Sequence, residues 1–273
     1  MLRGEQEVIR GVATDCDRFE TDHLILYIDK GLLSRDAEQR FVSEMDRGFA
    51  ATKGYLRRSF DRRLGVPKPS YYLTDRAGIS HVDHTQVFLR AQRVIPSPGI
   101  AIHETAHLLM MSDRTAPRNR SDLSPEEEQR WTAMTGVWLP EGFASYVASE
   151  LAPKLRIRLD GPFLKGDNST VDAEAKQWLK DPRGRAVASF VGSRGAPENL
   201  LADRQNVAAP FYVLAQSLVK HMVARAGLAT VERLYVEHTN GRASIEEDVR
   251  RITRTDLAKW RKDWITSLTA GLQ

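Results

Sequence analysis

Residues 100–111 read Ile-Ala-Ile-His-Glu-Thr-Ala-His-Leu-Leu-Met-Met. They follow Pro96, Pro98 and Gly99 and carry a helical pattern to about Met111. On a helix, His103 and His107 project from one face one turn apart, so both imidazoles can reach a single ion. Glu104 points close to the same ion without having to bind it. There it can take a proton from a water on that ion. The bland alternative is a surface helix with incidental histidines. Ile100, Ile102, Ala106, Leu108, Leu109 and Met110 make the segment nearly apolar, however. Burying two histidines and a glutamate among them is costly unless something compensates, and a metal would.

A catalytic zinc takes three protein ligands and keeps one position open. No third histidine follows closely, so the His-x-x-Glu-His-x-x-Gly-x-x-His pattern is absent. Glu141, in Trp138-Leu139-Pro140-Glu141-Gly142-Phe143-Ala144-Ser145-Tyr146, is the better candidate. Pro140 suits the first turn of a helix and places Glu141 near its start. Gly142 and Ala144 are small, which lets this helix pack closely on another. A first-turn glutamate stabilised by the helix dipole explains Glu141 equally well on these residues alone.

Outward from these two stretches the chain changes character. Residues 1–22 are polar and unpatterned and read as a loose arm. His23–Asp29 reads as a buried strand closed by Lys30-Gly31. Ser34 is a candidate N-cap for a helix to about Phe60, with Phe41, Met45 and Phe49 on one face. Ser70–Thr74 and Gln86–Ala91 read as further strands. Ser112–Ser124 reads as a charged loop. Beyond it the patterns are helical only: Glu126–Met134, Pro140–Leu151, Asp172–Leu179, Pro210–Ala226, Thr230–His238, Ile245–Ile252 and Leu257–Leu268.

The chain of 273 residues carries 40 Lys and Arg against 36 Asp and Glu, a net charge of +4. That mild excess argues against a dedicated nucleic-acid binder, which clusters its basic residues. At 41% hydrophobic residues a sizeable core can form. The single cysteine, Cys16, excludes an intrachain disulfide and any cysteine-rich metal site. No apolar run approaches the roughly 20 residues that span a bilayer. The chain as written is expected in the cytoplasm, and outside it if Met1 stands in place of a trimmed leader.

Two histidines in His-Glu-x-x-His, followed 34 positions on by a glutamate in Glu-Gly-x-Ala-x-Tyr, resemble the gluzincin metallopeptidases. The likeness is to the peptidase-MA-like group, related distantly to the aminopeptidase N and thermolysin families. It implies one zinc per chain held by His103, His107 and Glu141, with Glu104 as general base. Pro210-Phe211-Tyr212-Val213-Leu214-Ala215-Gln216-Ser217-Leu218-Val219, running on to Gly227, is similar to the family's later helix. That helix opens with a tyrosine facing the transition-state oxyanion, which implies the role for Tyr212; a buried tyrosine with a satisfied hydroxyl is the plainer reading. Tyr146 is its rival. The resemblance runs roughly from His23 to Leu268.

The sequence also departs from the family. The Gly-x-Met-Glu-Asn motif that grips a free amino terminus is absent, and Ala77-Gly78-Ile79-Ser80-His81 stands nearest in position. The resemblance therefore implies an endopeptidase rather than a broad aminopeptidase. Ser145 stands where thermolysin-like relatives place an aspartate that orients a histidine. His81 and His84 are three apart and would point opposite ways on a strand, so they read as loop or substrate-edge residues rather than a second metal site. The basic stretch from Arg250 to Lys262 reads as a solvated helix face.

The expectation is an α+β, zincin-like single catalytic domain over residues 23–273. Residues 23–111 form an upper half with a small mixed sheet, a backing helix and the metal helix. Residues 112–273 form a helical lower half. The expected function is zinc-dependent hydrolysis of peptide or protein substrates. The alternatives are an inactive zincin-fold binding protein, against which the intact Glu104 weighs, and a zinc hydrolase of a non-peptide amide or ester.

Overall fold

In the computed structural model, residues 15–60, 66–83, 85–111, 137–161, 164, 166–193, 195–197, 199–200, 203–239 and 244–270 are described. The expected loop Ser112–Ser124, the expected helix Glu126–Met134 and His84 lie outside them. The chain divides into two compact units, residues 1–113 with 147–161, and residues 114–146 with 162–273.

The first unit is built on a five-stranded mixed sheet of order β1-β2-β3-β5-β4. Its strands are β1 (Cys16–Glu20), β2 (Ile25–Asp29), β3 (Ser70–Thr74), β4 (His81–Asp83) and β5 (Gln86–Arg90). The central three run parallel, and β1 and β4 close the two edges antiparallel. Tyr71 to Thr74 and Val87 to Leu89 are buried without interruption, as expected of strands covered on both faces.

The register places Leu26, Tyr71 and Val87 in one row, and Ile28, Leu73 and Leu89 in another on the same face. Helix α1 (Arg35–Tyr55) supplies a matching apolar stripe of Phe41, Met45 and Phe49, and Phe49 meets Tyr71 edge-on at 6.4 Å. The opposite face carries a row of stacked rings, Tyr27, Tyr72, Phe88 and His81, each 5.1 Å from the next.

Three expectations need correction here. Residues 16–20 are not part of a loose arm but an edge strand. Its alternation of polar side chains hides the signal, although Cys16 is buried and the strand pairs with β2 throughout. His81–Asp83 is strand rather than loop, too short for its pattern to register. Helix α1 stops at Tyr55, short of Phe60, with Arg57 turning the chain at positive φ. Ser34 does occupy its N-cap, but its side chain makes no capping bond.

Where β2 and β3 end, Asp29 accepts from the Thr74 hydroxyl at 2.6 Å, from Arg76 at 2.5 Å and from the Cys16 thiol at 3.3 Å. Burial alone would raise the Asp29 carboxyl, but these donors hold it below the usual carboxylate range. Burial and Asp29 push the Cys16 thiol up to about 11, so it is a thiol and a poor nucleophile at neutral pH.

After β5 come α2 (Ala91–Val94) and α3 (Ile100–Met111). α3 packs against α1, and also meets β4 and β5. A Cβ at Gly48 of α1 would stand 3.2 Å from Ile102 of α3, so glycine sets the spacing of the two helices. The start of α3 is pinned by Gly99, whose N–H donates to the Arg158 carbonyl at 2.9 Å, and by the Ser97 hydroxyl, which accepts from Asp160 N–H at 2.9 Å.

Helix α4 (Trp138–Leu155) begins in the second unit and ends in the first. The rest of the second unit is helical: α5 (Asn168–Lys180), α6 (Pro182–Ala188), α7 (Ala209–Ala226), α8 (Leu228–Thr239), α9 (Ile245–Thr253) and α10 (Leu257–Thr269). Local chemistry starts these helices. Asp167 and Asp181 cap α5 and α6 through their side chains, and Ser244 with Glu247 forms a capping box on α9.

Helix α7 is the unit's core. Phe211, Val213, Leu214, Leu218, Val219 and Met222 are buried, and α5, α6, α8 and α10 pack around it. With the turn before it, Arg204–Ala226 is long and apolar enough to cross a membrane by length and composition, yet its apolar side chains here form the core of a helical unit. On α9 and α10, Arg250 pairs with Asp256, Arg251 with Asp248 and Glu237, and Lys259 with Asp263, while Arg261 donates to the Ala188 carbonyl at 2.9 Å.

Candidate metal centre

Helix α3 is apolar on nearly every side. Ile102, Ala106, Leu108, Leu109 and Met110 are buried. Into this setting it brings His103, at 5% exposure, and Glu104, at 6%. Such burial of imidazole and carboxylate is stable only where partners or an ion compensate. The helix is held in register by Thr105, whose hydroxyl lies 2.8 Å from the Tyr71 hydroxyl on β3 and donates to the Ala101 carbonyl at 2.6 Å. Burial pushes the Tyr71 phenol far above its ordinary range, and the nearby Glu104 carboxylate adds to the shift. Tyr71 is therefore a neutral phenol and a structural anchor.

One turn of α3 separates His103 from His107, and their rings stand nearly perpendicular at 81°. The two Nε2 atoms approach to 3.0 Å. Two nitrogens bound tetrahedrally to one zinc at about 2.0–2.1 Å lie roughly 3.3 Å apart, so the pair is close to the spacing a shared ion requires.

The third group comes from α4. Its start is fixed by Trp138, fully buried, whose indole N–H donates to the Ser193 carbonyl at 3.0 Å. Leu139, Phe143, Ala144 and Val147 are buried too. Glu141 falls in the first turn, half-buried, as Pro140 implies. Ligand atoms of His103, His107 and Glu141 all lie within 4.8 Å of one another. Two imidazoles and one carboxylate form a donor set suited to a catalytic zinc, and these three residues could hold a metal ion. At Ser145 the hydroxyl donates to the backbone carbonyl of Glu141 at 2.7 Å.

Close approach at Glu141 is enforced by its neighbour. A Cβ at Gly142 would stand 2.6 Å from the Ala215 carbonyl oxygen on α7, so the two helix backbones touch there. Tyr212 lies in the first turn of α7, half-buried and edge-on to Phe211. The turn before it, Arg204–Ala208, is of the wide π type and is capped by Asp203. Leu214, Leu218 and Met222 follow inward as their spacing suggests. Tyr146 is half-buried, and its backbone carbonyl accepts from Asn168. His81 stacks on Phe88. Asn168 is the residue of this region that sequence reasoning passed over: the helix expected from Asp172 begins four residues earlier, at Asn168, capped by Asp167.

No family model matches the sequence, and no curated protein is detectably similar to it. Among solved structures, an M1 zinc metallopeptidase from Deinococcus radiodurans matches at 13% identity and a TM-score of 0.42. The match covers 91% of this chain and 50% of that one. A variant of an M1 zinc metallopeptidase from the same organism matches over the same shares at 13% identity and a TM-score of 0.45. A two-domain M1 zinc metallopeptidase variant bound to L-arginine matches at 12% identity and a TM-score of 0.42, again over 91% and 50%. The chain thus spans about half the length of the solved structures it matches.

Proposed function

We propose that this chain is a zincin-like, zinc-dependent metallopeptidase that cleaves internal peptide bonds. The observation that carries the reading is the convergence of His103, His107 and Glu141, with Glu104 buried on the same turn as the first histidine. In this reading the three converging residues hold one zinc per chain. When bound, the ion supplies Lewis acidity to the scissile carbonyl and brings the pKa of water to about 7. Glu104 removes the proton of the attacking water and hands it to the departing amine. Tyr212 donates its hydroxyl to the developing oxyanion. The buried apolar body of α3 keeps bulk water from His103 and Glu104 and strengthens their interactions.

The test is cleavage of a peptide library carrying free or acetylated N-termini by the zinc-loaded protein. Internal cleavage indifferent to acetylation is expected, lost to a chelator and restored by zinc. Release of single residues from free ends only would overturn the endopeptidase reading, and inert zinc-loaded protein would overturn the peptidase reading. On the peptide cleaved best, Tyr212→Phe should keep its zinc and lose about 2.7–4 kcal/mol of transition-state stabilisation, roughly 10²–10³ in kcat. A comparable loss in Tyr146→Phe with none in Tyr212→Phe would move the role to Tyr146.

A further inference from the structure

The helix that carries Glu141 and the helix that carries Tyr212 are joined by one side chain. Asn168, the first residue of α5, donates from Nδ2 to the backbone carbonyl of Tyr146 on α4 at 2.9 Å. Its Oδ1 accepts from Nε2 of Gln216 on α7 at 2.9 Å. Asn168 is buried, and Gln216 is fully so. Gln216 lies one turn beyond Tyr212 on the same face of α7. Tyr146 lies five residues beyond Glu141 on α4.

The tie is anchored in turn. The Asn168 backbone carbonyl accepts from Lys220 Nζ at 2.7 Å, and Lys220 also reaches Asp172 at 2.6 Å. The other Asp172 oxygen accepts from the Ser217 hydroxyl at 2.7 Å, and that hydroxyl accepts from the Trp264 indole at 2.9 Å. Hydrogen bonds therefore run from α4 through α5 and α7 to α10. A carbonyl inside a helix does not need a second donor for the helix to form. The bond from Asn168 adds position instead. The carboxamide offers a donor at one end and an acceptor at the other: aspartate would turn an acceptor on the Tyr146 carbonyl, and leucine would offer neither.

We infer that Asn168 is a positioning residue of the metal centre. It fixes the roll of α4 on α7 and so holds the Glu141 carboxylate and the Tyr212 hydroxyl in one frame. The bare contact of Gly142 with Ala215 sets how near the two helices come, and Asn168 sets how they are turned. The inference rests on the reading of Glu141 as a metal ligand.

The experiment reads metal binding rather than turnover. Zinc affinity is measured by chelator competition in wild type, Asn168→Ala, Asn168→Asp and Glu141→Ala, together with the visible spectrum of the cobalt-loaded forms. Both Asn168 variants are expected to bind zinc about 10-fold or more weakly, within the 10–100-fold range of residues that orient ligands, and to show an altered cobalt spectrum. In the Glu141→Ala background the Asn168 substitutions should cost no further affinity, since they act through Glu141. Unchanged zinc affinity and cobalt spectrum in a folded Asn168 variant, even one with a lowered unfolding midpoint, would overturn the inference. So would an affinity loss that persists without Glu141. If the single variants do not fold, the double variant Asn168→Leu with Gln216→Leu removes both partners of one bond and spares the structure an orphaned amide. Wild-type zinc affinity there would overturn the inference as well. A wild-type protein whose zinc affinity is indifferent to Glu141→Ala would instead overturn the ligand assignment on which the inference stands.

Discussion

Glu104→Gln is expected to keep the metal and lose turnover by about 10²–10⁴-fold, the usual worth of a general base. Glutamine matches glutamate closely in size, so a position only 6% exposed accepts it without a cavity. It cannot take up a proton from water. The helix stays in place because its anchors lie elsewhere, in the pair of hydroxyls of Thr105 and Tyr71 and in the bonds from Gly99 and Ser97. Zinc content and kcat should be measured on the same preparation. Near-wild-type turnover in a zinc-replete variant would remove Glu104 from the role of base.

Gly142→Ala should damage stability and metal binding together. The added methyl would stand 2.6 Å from the Ala215 carbonyl oxygen, 2.7 Å from its carbon and 3.0 Å from Val219 Cγ2. Two of these atoms are helix backbone, which cannot swing aside as the end of a long side chain can. α4 must therefore move off α7, at about 1–3 kcal/mol for overpacking of this kind. Glu141 is the adjacent residue and moves with it. Denaturant unfolding and chelator competition should both register the change. Gly54→Ala, on α1 with nothing within 4 Å, is the control and should gain roughly 0.5–1 kcal/mol from helix propensity. Equal behaviour of the two variants would show that the tight crossing at Gly142 does not hold in solution.

The histidine pair was readable because its geometry is local. Four residues of helix bring His103 and His107 together whatever the rest of the chain does. Helix α1 and strands β3 and β5 were readable for the same reason, through apolar periodicity. Glu141 was different. Its own surroundings served a dipole-stabilised glutamate as well as a ligand, and what singles it out is a tertiary approach across 34 positions of sequence. Asn168 left no sequence signal, since its two partners lie 22 positions before it and 48 after it. β1 stayed hidden because an edge strand keeps polar residues, and β4 because three residues are too few to show a period. Helix α6 was overlooked although Asp181-Pro182 is a sound helix start, because only seven residues follow.

The most direct test of the metal centre is a crystal structure of protein purified in zinc without chelator, with the ion located by anomalous scattering at the zinc edge. The expected result is one zinc per chain at about 2.0–2.2 Å from a ring nitrogen of His103, a ring nitrogen of His107 and a carboxylate oxygen of Glu141. A zinc bound by the two histidines with Glu141 turned away, or a zinc bound elsewhere in the chain, would contradict it.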